Sequence, residues 1–238
     1  MQYIDPYASS NSDVAIAAGR TGTPQVHTKG GELARGSIVF STLPLATETL
    51  TINGVYVEFT AGASDGTAAG TVGDPLLINI KASITLTIDE IVSVLNATAN
   101  TDIDDATYSN VGGTDLLIVH DSYSTASNTT FTIAASVATP SGATLTGGQD
   151  VVPISDKSEN IDVALTDTND QHFSLADAPA FTRKTIVMSA KGTGNAVITP
   201  TNFTDGTTIT LDTALDYVQL QFIASAWKVV GTGVATIA

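Results

Sequence analysis

Residues 48–59 have the sequence Glu-Thr-Leu-Thr-Ile-Asn-Gly-Val-Tyr-Val-Glu-Phe, and they give the clearest structural signal in the chain. Polar and apolar residues alternate on both sides of Asn53-Gly54, a dipeptide that suits a type I′ turn because both of its residues accept positive φ. This turn predicts an antiparallel hairpin with Ile52 opposite Val55 and one fully apolar face. That face consists of Leu50, Ile52, Val55, Val57 and Phe59. Tyr56 lies on the other face, where we expect it to contact a partner molecule.

One helix follows the hairpin. The segment Thr87-Ile-Asp-Glu90 is a capping box, in which an N-cap hydroxyl and a carboxylate three residues later satisfy unpaired amides. Apolar residues then recur at i, i+3, i+4 and i+7, which forms one stripe of a helix. They are Ile88, Ile91, Val92 and Leu95. The pattern predicts a helix that starts at Thr87. Asp89 and Glu90 would lie in its first turn, favoured there by the macrodipole, as helix-start residues rather than catalytic acids.

The remaining sequence predicts short strands. Ala106–Val111 and Asp115–Val119 are typical of a hairpin around Gly112-Gly113, and Thr129–Ala134 is typical of a further strand. From about Asp150 only strand patterns occur, at regular spacing and with Gly-containing turns. Short strands at this regular spacing predict an antiparallel β-sandwich or small β-barrel. Its apolar strand patterns lie at 161–165, 185–188, 196–198, 209–211, 218–222 and 227–229.

These patterns predict a mainly β protein with one helix, organised in three parts. We expect residues 1–36 to form an extended N-terminal arm, 37–149 an α+β hairpin–helix–hairpin module, and 150–238 the all-β domain. The arm shows no sustained period of 2 or 3.6 residues, which suits either a loose tail or a segment that orders against a neighbouring subunit. Its apolar anchors would be Tyr3, Ile4, Tyr7, Val14 and Ile16.

The composition excludes several classes of function. The 238 residues carry a formal net charge of −15 with only nine Lys and Arg, so no basic patch is available for nucleic acid or a membrane surface. The absence of cysteine removes disulfides, thiolate nucleophiles and Cys-ligated metals. No apolar run approaches the roughly 20 residues that span a bilayer. The N-terminus lacks the basic and long apolar regions of a secretion signal.

No candidate metal or cofactor site emerges from the spacing of polar residues. His27, His120 and His172 lie far apart, each without a second ligand at zinc-site spacing. Two acidic groups, Asp102/Asp104/Asp105 and Asp167/Asn169/Asp170, lack the EF-hand pattern and are expected to be solvated loops rather than calcium sites.

No catalytic motif is found either, and we predict a non-enzymatic protein. Nucleophile-elbow and P-loop motifs are absent, while a glycosidase carboxylate pair would be recognisable only in space. The Gly-Thr-Gly triplets at 192–194 and 231–233 lack the third glycine of a dinucleotide fingerprint and are expected to be turns. Trp227 alternates with Val229 and is expected in the core.

Several stretches resemble proteins of tailed-bacteriophage virions. The hairpin 48–59, the helix Ile88–Thr98 and the closing Ser141-Gly-Ala-Thr-Leu-Thr-Gly-Gly148 resemble a virion module that runs hairpin, helix ending in Asn, second hairpin and Gly-Ala-Thr-Leu-Thr-Gly-Gly end. The terminal part resembles a carboxy-terminal β domain of phage head-decoration and fibre proteins. The stretches concerned are 183–203, 205–211 and 218–230.

The resemblance implies a virion structural protein, made in the host cytoplasm, that decorates or cements the outside of a phage head and bridges capsid subunits. Its expected partners are the major capsid protein and further copies of this chain, as a homotrimer, because closed symmetry suits local threefold positions. The alternatives are a head-fibre, tail or tail-fibre protein whose β domain binds host glycan, and a tail tube or terminator subunit. A virion depolymerase is the enzymatic alternative.

Overall fold

The computed structural model describes residues 24–155 and 158–238 and divides the chain into two compact units. The inserted unit comprises Leu33–Gln149. The wound unit comprises the described residues up to Glu32 together with those from Asp150 to Ala238. The prediction of a mainly β protein is confirmed. The inserted unit thus begins at Leu33 and ends at Gln149.

The described chain contains eighteen strands and two helices. In order they are β1 Gln25–His27, β2 Leu33–Val39, β3 Thr49–Ile52, β4 Val55–Thr60, β5 Leu76–Asn79, α1 Ile84–Ala97, β6 Ala106–Val111, β7 Asp115–Tyr123, α2 Ser127–Thr130, β8 Ile133–Ala135, β9 Thr139–Pro140, β10 Val152–Pro153, β11 Asn160–Ala164, β12 Gln171–Leu175, β13 Arg183–Ala190, β14 Ala196–Pro200, β15 Ile209–Leu211, β16 Tyr217–Ile223, β17 Ala226–Gly233 and β18 Thr236–Ile237.

The hairpin of β3 and β4 forms with the predicted register. Ile52 pairs with Val55, and the turn residues Asn53 and Gly54 have φ values of 47° and 85°. Every apolar residue of the predicted inner face is at most 2% exposed. β5 joins β4 in parallel and β8 joins β3 antiparallel, which gives a four-stranded sheet in the order β5-β4-β3-β8.

The second sheet of the inserted unit has the order β6-β7-β2-β9 and contains the predicted hairpin around Gly112-Gly113. One continuous core contains buried side chains from both sheets, including Phe40 and Phe59, whose rings meet edge to face at 6.2 Å. Helix α1 packs against β5 and β6, an outer strand of each sheet, and buries its predicted apolar stripe there. The helix therefore closes one side of the core.

Helix α1 begins one turn before the predicted start at Thr87. Ser83 is the N-cap, and its hydroxyl accepts a hydrogen bond from a first-turn amide at 3.3 Å. Thr87 lies inside the helix, where its hydroxyl donates to the Ser83 carbonyl at 2.9 Å. The earlier start adds Ile84 to the residues packed against the core. Asp89 and Glu90 are therefore outside the first turn, and that prediction was wrong.

The segment Thr129–Ala134, predicted as one strand, is divided between α2 and β8. The hydroxyls of Thr129 and Thr130 both donate to the Ala126 carbonyl at 3.1 Å. Such local side-chain bonds give threonine an alternative to a strand ladder, and here they hold one helical turn. The chain straightens only at Ile133.

The wound unit consists of two five-stranded sheets between which the chain alternates. Their orders are β1-β11-β13-β16-β17 and β10-β12-β14-β15-β18. From β10 to β14 each strand enters the other sheet, and parallel pairs join β10 to β12, β11 to β13 and β12 to β14. This part is wound as a short solenoid. Strands β15 to β18 add only antiparallel pairs, so the antiparallel arrangement predicted for 150–238 holds for only part of the unit.

Successive turns of the solenoid are 25 residues apart. Ile161 pairs with Ile186 in one sheet and Phe173 with Ile198 in the other. In the loop before β14, Gly194 runs against the backbone of Asn169, and a Cβ added to Gly194 would overlap the Asn169 carbonyl. The glycine is therefore required by the close approach of two turns. The second predicted turn, 231–233, lies instead at the end of strand β17.

The inserted unit interrupts the first turn of the solenoid. Gly31 bridges His172 of β12 through hydrogen bonds of 2.7 and 2.9 Å, and β10 pairs with β12 from Phe173 onward. A Cβ on Gly31 would lie 2.7 Å from the Cα of Val151. The chain thus leaves the solenoid at Gly31 and returns beside it at Val151, and we call this place the seam. Within the predicted arm, residues 25–27 form β1 and 33–36 begin β2.

Candidate functional site

The predicted contact residues fall into two groups. Five of them lie outside the described residues, namely Tyr3, Ile4, Tyr7, Val14 and Ile16. Tyr56 is half-buried on the outward face of β4, opposite Thr51, and its amide donates to the Gly70 carbonyl at 2.7 Å. Glu58 is the charged residue of β3 and β4 on the same face, and the other outward residues of these two strands are uncharged.

The outer strand β6 of the inserted unit is covered by a side chain of helix α1. Asn96 accepts a hydrogen bond from Tyr108 N at 3.0 Å and donates to the Tyr108 carbonyl at 2.9 Å. One amide side chain thereby occupies both backbone groups that a neighbouring strand would use. Farther along, Asn110 donates to Asp89 at 2.7 Å and ties the same strand to the helix. The strand therefore presents a blocked edge.

The outer strand β5 is covered by the preceding loop. The amide of Leu77 donates to the Asp65 carbonyl at 2.9 Å, and the amide of Asn79 donates to the Ser64 hydroxyl at 2.8 Å. The Ser64 hydroxyl in turn donates to Glu90 at 2.5 Å, which lowers the pKa of that carboxyl, and Lys81 lies 3.1 Å from it. The carboxylate of Glu90 therefore links helix α1 to the loop that covers β5.

A cluster of buried polar side chains lies at the seam of the wound unit. Gln171 is fully buried, accepts a hydrogen bond from Gly30 N at 2.9 Å and donates to Glu32 at 3.2 Å. Asn169 also donates to Glu32. We call Glu32, Asn169 and Gln171 the seam cluster. These hydrogen bonds lie within the unit, and they fix residues 30–32 to strand β12 and the loop before it.

Two histidines lie beside the seam cluster. His27 is 8% exposed, its ring meets Phe173 edge to face at 5.4 Å, and its Nε2 is buried without a hydrogen-bond partner in the described part of the chain. Burial lowers the pKa of His27 below its ordinary value. Burial likewise lowers the pKa of His172, and the carboxylate of Asp170 partly opposes this effect. Burial therefore favours the neutral form of both rings.

The outer strand β17 of the wound unit is covered over only half of its length. Trp227 N donates to the Asn202 carbonyl at 2.7 Å, and Val229 N donates to the Asp205 carboxylate at 2.7 Å. Beyond Val229 the described residues supply no further backbone partner on the side away from β16. We call Val230–Val234 the free edge. It carries no charged residue.

Apolar side chains are exposed along this edge. Val230 is 52% and Val234 79% exposed, and nearby Leu215 is 55% exposed. Val234 and Leu215 have φ values of 65° and 77°, a conformation that branched and bulky side chains rarely adopt. Strained and exposed apolar residues therefore concentrate at the end of the sheet where β16 begins and β17 ends.

The other residues named from the sequence make contacts that support the fold. Trp227 is fully buried, as predicted, and its indole N–H donates to the Ala176 carbonyl at 3.0 Å. The turn around Asp104 supplies backbone groups, including the Ile103 carbonyl that accepts from the Tyr108 hydroxyl at 3.0 Å. Among the described residues no group of three or more His, Asp or Glu is placed to hold a metal ion.

No protein-family model matches this sequence, and no curated protein or solved structure is similar enough to count as a match. In the described part of the chain no helix has the length and apolar character needed to cross a membrane.

Several important residues were missed in the sequence. Asn96 had a signal, because an Asn at the end of an amphipathic helix is a poor helix former with a backbone-like amide. Gln171 had none, since its partners Gly30 and Glu32 are about 140 positions away. The free edge could not be found locally either, because a bare edge depends on what other segments cover.

Proposed function

We propose that this chain is a non-enzymatic structural protein of a tailed-phage virion, and specifically a capsid decoration protein bound to the outside of the head. The observation that carries the proposal is the use of polar side chains. Asn96 covers a strand edge, Gln171 fixes the seam, and Asp205 covers the first half of β17. These polar side chains form hydrogen bonds with the backbone and are not left available for catalysis. This use suits a protein whose task is structural.

The surface properties support the same proposal. A net charge of −15 adds solubility and restrains association before a specific partner is met. A free edge with exposed Val230 and Val234 offers a place where association can occur. The mostly uncharged face around Tyr56 offers a second surface, which we assign to contact with the major capsid protein.

The proposed organisation keeps three parts with distinct tasks. An N-terminal arm reaches a neighbouring subunit, the module ending at Gln149 faces the capsid, and the β domain from 150 onward carries the arm. We limit the proposed arm to residues 1–23, because β1 and Glu32 belong to the folded wound unit. We propose a homotrimer, which matches the local threefold positions of an icosahedral shell.

The test is to mix the purified protein with undecorated capsids, sediment them and image the pellet by electron microscopy. We expect stoichiometric density on the shell for the full chain. A variant lacking residues 1–23 keeps β1 and the seam cluster, and we expect it to fold but to bind the capsid more weakly. The variant Tyr56→Ala, matched with Tyr123→Ala at another half-buried tyrosine of the inserted unit, tests the assigned capsid face.

Absence of density on the shell would overturn the decoration proposal. Labelling at the tail tip, or retention of the protein on host polysaccharide, would support a tail-fibre role instead. Turnover of host capsule would show an enzyme.

A further inference from the structure

We propose that the free edge of β17 binds residues Val14–Ala18 of a second copy of this chain as an added parallel strand. This proposal takes from the proposed function only the N-terminal arm that reaches a neighbouring subunit. It adds the surface of that subunit to which the arm binds. Three observations support it: the chemistry of the edge, the length of chain before β1, and the charges that flank both segments.

The edge has the properties of a strand acceptor. Thr232 pairs with the buried Val218, and the following Gly233 packs against the ring of Tyr217, so the strand is held firmly from one side. On its other side the backbone of Val230–Gly233, the part of the free edge that belongs to β17, meets no described partner, and Val234 beyond it bridges Tyr217. A strand added there would satisfy these groups and cover the exposed Val230 and Val234.

The segment Val14–Ala18 matches this edge in length and pattern. Its sequence, Val-Ala-Ile-Ala-Ala, contains five uncharged residues, as many as the free edge has. Val14 and Ile16 alternate with alanine, so both β-branched side chains would face one side of an added strand. Cross-strand pairs of β-branched residues are among the contacts that stabilise a sheet.

The length of the chain indicates that the strand comes from another copy. Gln25, Ile161, Ile186, Val218 and Thr232 form one row across the sheet, so β1 and β17 are its two opposite edges. A strand added beyond β17 lies five strand spacings, about 24 Å, from β1 in a straight line. The seven residues from Ala18 to Gln25 span about 25 Å when fully extended. A segment of the same chain would have to cross over the face of the sheet, and that path is longer than these seven residues can span.

Flanking charges favour the parallel direction. Lys228 precedes the free edge, and Asp13 precedes Val14. With Ile16 opposite Thr232, a parallel strand brings Asp13 within one residue of Lys228. An antiparallel strand would instead place Arg20 opposite Lys228, and like charges directly opposite are unfavourable.

The experiment uses the full chain, whose lack of cysteine gives a clean background for disulfide trapping. Two chains of different length are co-expressed, a tagged one with Ile16→Cys and an untagged one with Thr232→Cys, and then oxidised. We expect a reducible cross-linked product that contains one chain of each kind. The matched control replaces Thr232→Cys by Ala61→Cys, an exposed position on the inserted unit, and should give little mixed product.

Exchange of the flanking charges tests the direction. We expect Asp13→Lys or Lys228→Asp alone to reduce the cross-linked fraction by about two- to fivefold, and the double exchange to restore it. The proposal would be overturned by equal mixed product in the Ala61→Cys control. It would also be overturned if a single chain carrying both cysteines formed only an internal cross-link. Cross-linking without capsid binding would leave this proposal standing and remove the decoration proposal.

Discussion

The inserted unit and the wound unit treat their outer strands in opposite ways. In the inserted unit Asn96 covers β6, and the loop around Ser64 covers β5. Among the described residues of the wound unit the cover of β17 ends at Val229, and strained apolar residues follow it. Within the described residues, β5 and β6 of the inserted unit are covered, whereas the wound unit has an uncovered edge, to which we propose that a partner strand binds. Variants that act on one unit alone can test this difference.

The largest effect is expected from Gly194→Ala. The added Cβ overlaps the backbone carbonyl of Asn169 on the next turn of the solenoid, so the two turns must separate at a cost of about 3 kcal/mol or more. Hydrogen exchange should show lost protection in β12 and β14 and unchanged protection in the inserted unit. Gly73→Ala, where an added Cβ meets nothing within 4 Å, is the control. Equal loss in both units would contradict their independence.

The next largest effect is expected from Gln171→Leu. This change leaves the amide of Gly30 and the carboxylate of Glu32 without their buried amide partner, at a cost of about 2–3 kcal/mol. Chemical denaturation should report the loss, and hydrogen exchange should place it in β1 and β12. Gln219→Leu changes an exposed glutamine and should have little effect. If both variants unfold at the same denaturant concentration, the seam cluster does not hold the first strand.

A smaller effect is expected from Asn96→Leu, which opens the edge of β6. Two hydrogen bonds to Tyr108 are lost at a partly solvated position, so about 1–2 kcal/mol of stability should disappear from the inserted unit. Light scattering should also show greater self-association, since the bare strand can now pair. The matched control is Ser93→Leu, which adds the same side chain at an exposed position of the same helix and leaves both bonds intact. Association of both variants to the same extent would argue against edge protection.

The smallest effect is expected from mild acid. The pKa values of His27 and His172 are lowered in the folded wound unit, so the unfolded state binds more protons as the pH falls below the ordinary value of 6.5. Stability of this unit should decline from that point downward. In the inserted unit the lowered pKa of Glu90 contributes stability that is lost only below its ordinary value of 4.5.

Thermal unfolding between pH 7 and pH 5 measures this order. His27→Phe should reduce the slope for the wound unit, because the ring that must remain neutral is gone. A steeper decline of the inserted unit over the same pH range would reverse the expected order.

Local features of this fold were predictable, and contacts between distant segments were not. The hairpin with Asn53-Gly54 follows from its own turn and alternation. The start of α1 was misjudged because Ser83 and Thr87 are both suitable caps, and only the packing of Ile84 separates them. The 25-residue winding was hidden because the paired positions match only in part: Ile161 pairs with Ile186, but the next pair is Asp162 with Val187.

The candidate site was less predictable than the fold. A half-buried position for Tyr56 follows from hairpin alternation. The free edge follows from the lack of a described segment that covers β17 beyond Val229, and which segments cover a strand depends on the whole unit. Sequence patterns describe what a strand presents, but they do not tell which other segment reaches it.

The seam is a place in this chain where a different domain could be inserted. Because the chain leaves at Gly31 and returns beside it at Val151, any insert whose two ends lie close together could replace residues 33–149 without stretching the solenoid. A short glycine bridge should do the same for a minimal version. Evolution or an engineer could then exchange the inserted unit while the solenoid, and with it the proposed site for joining copies, stays unchanged.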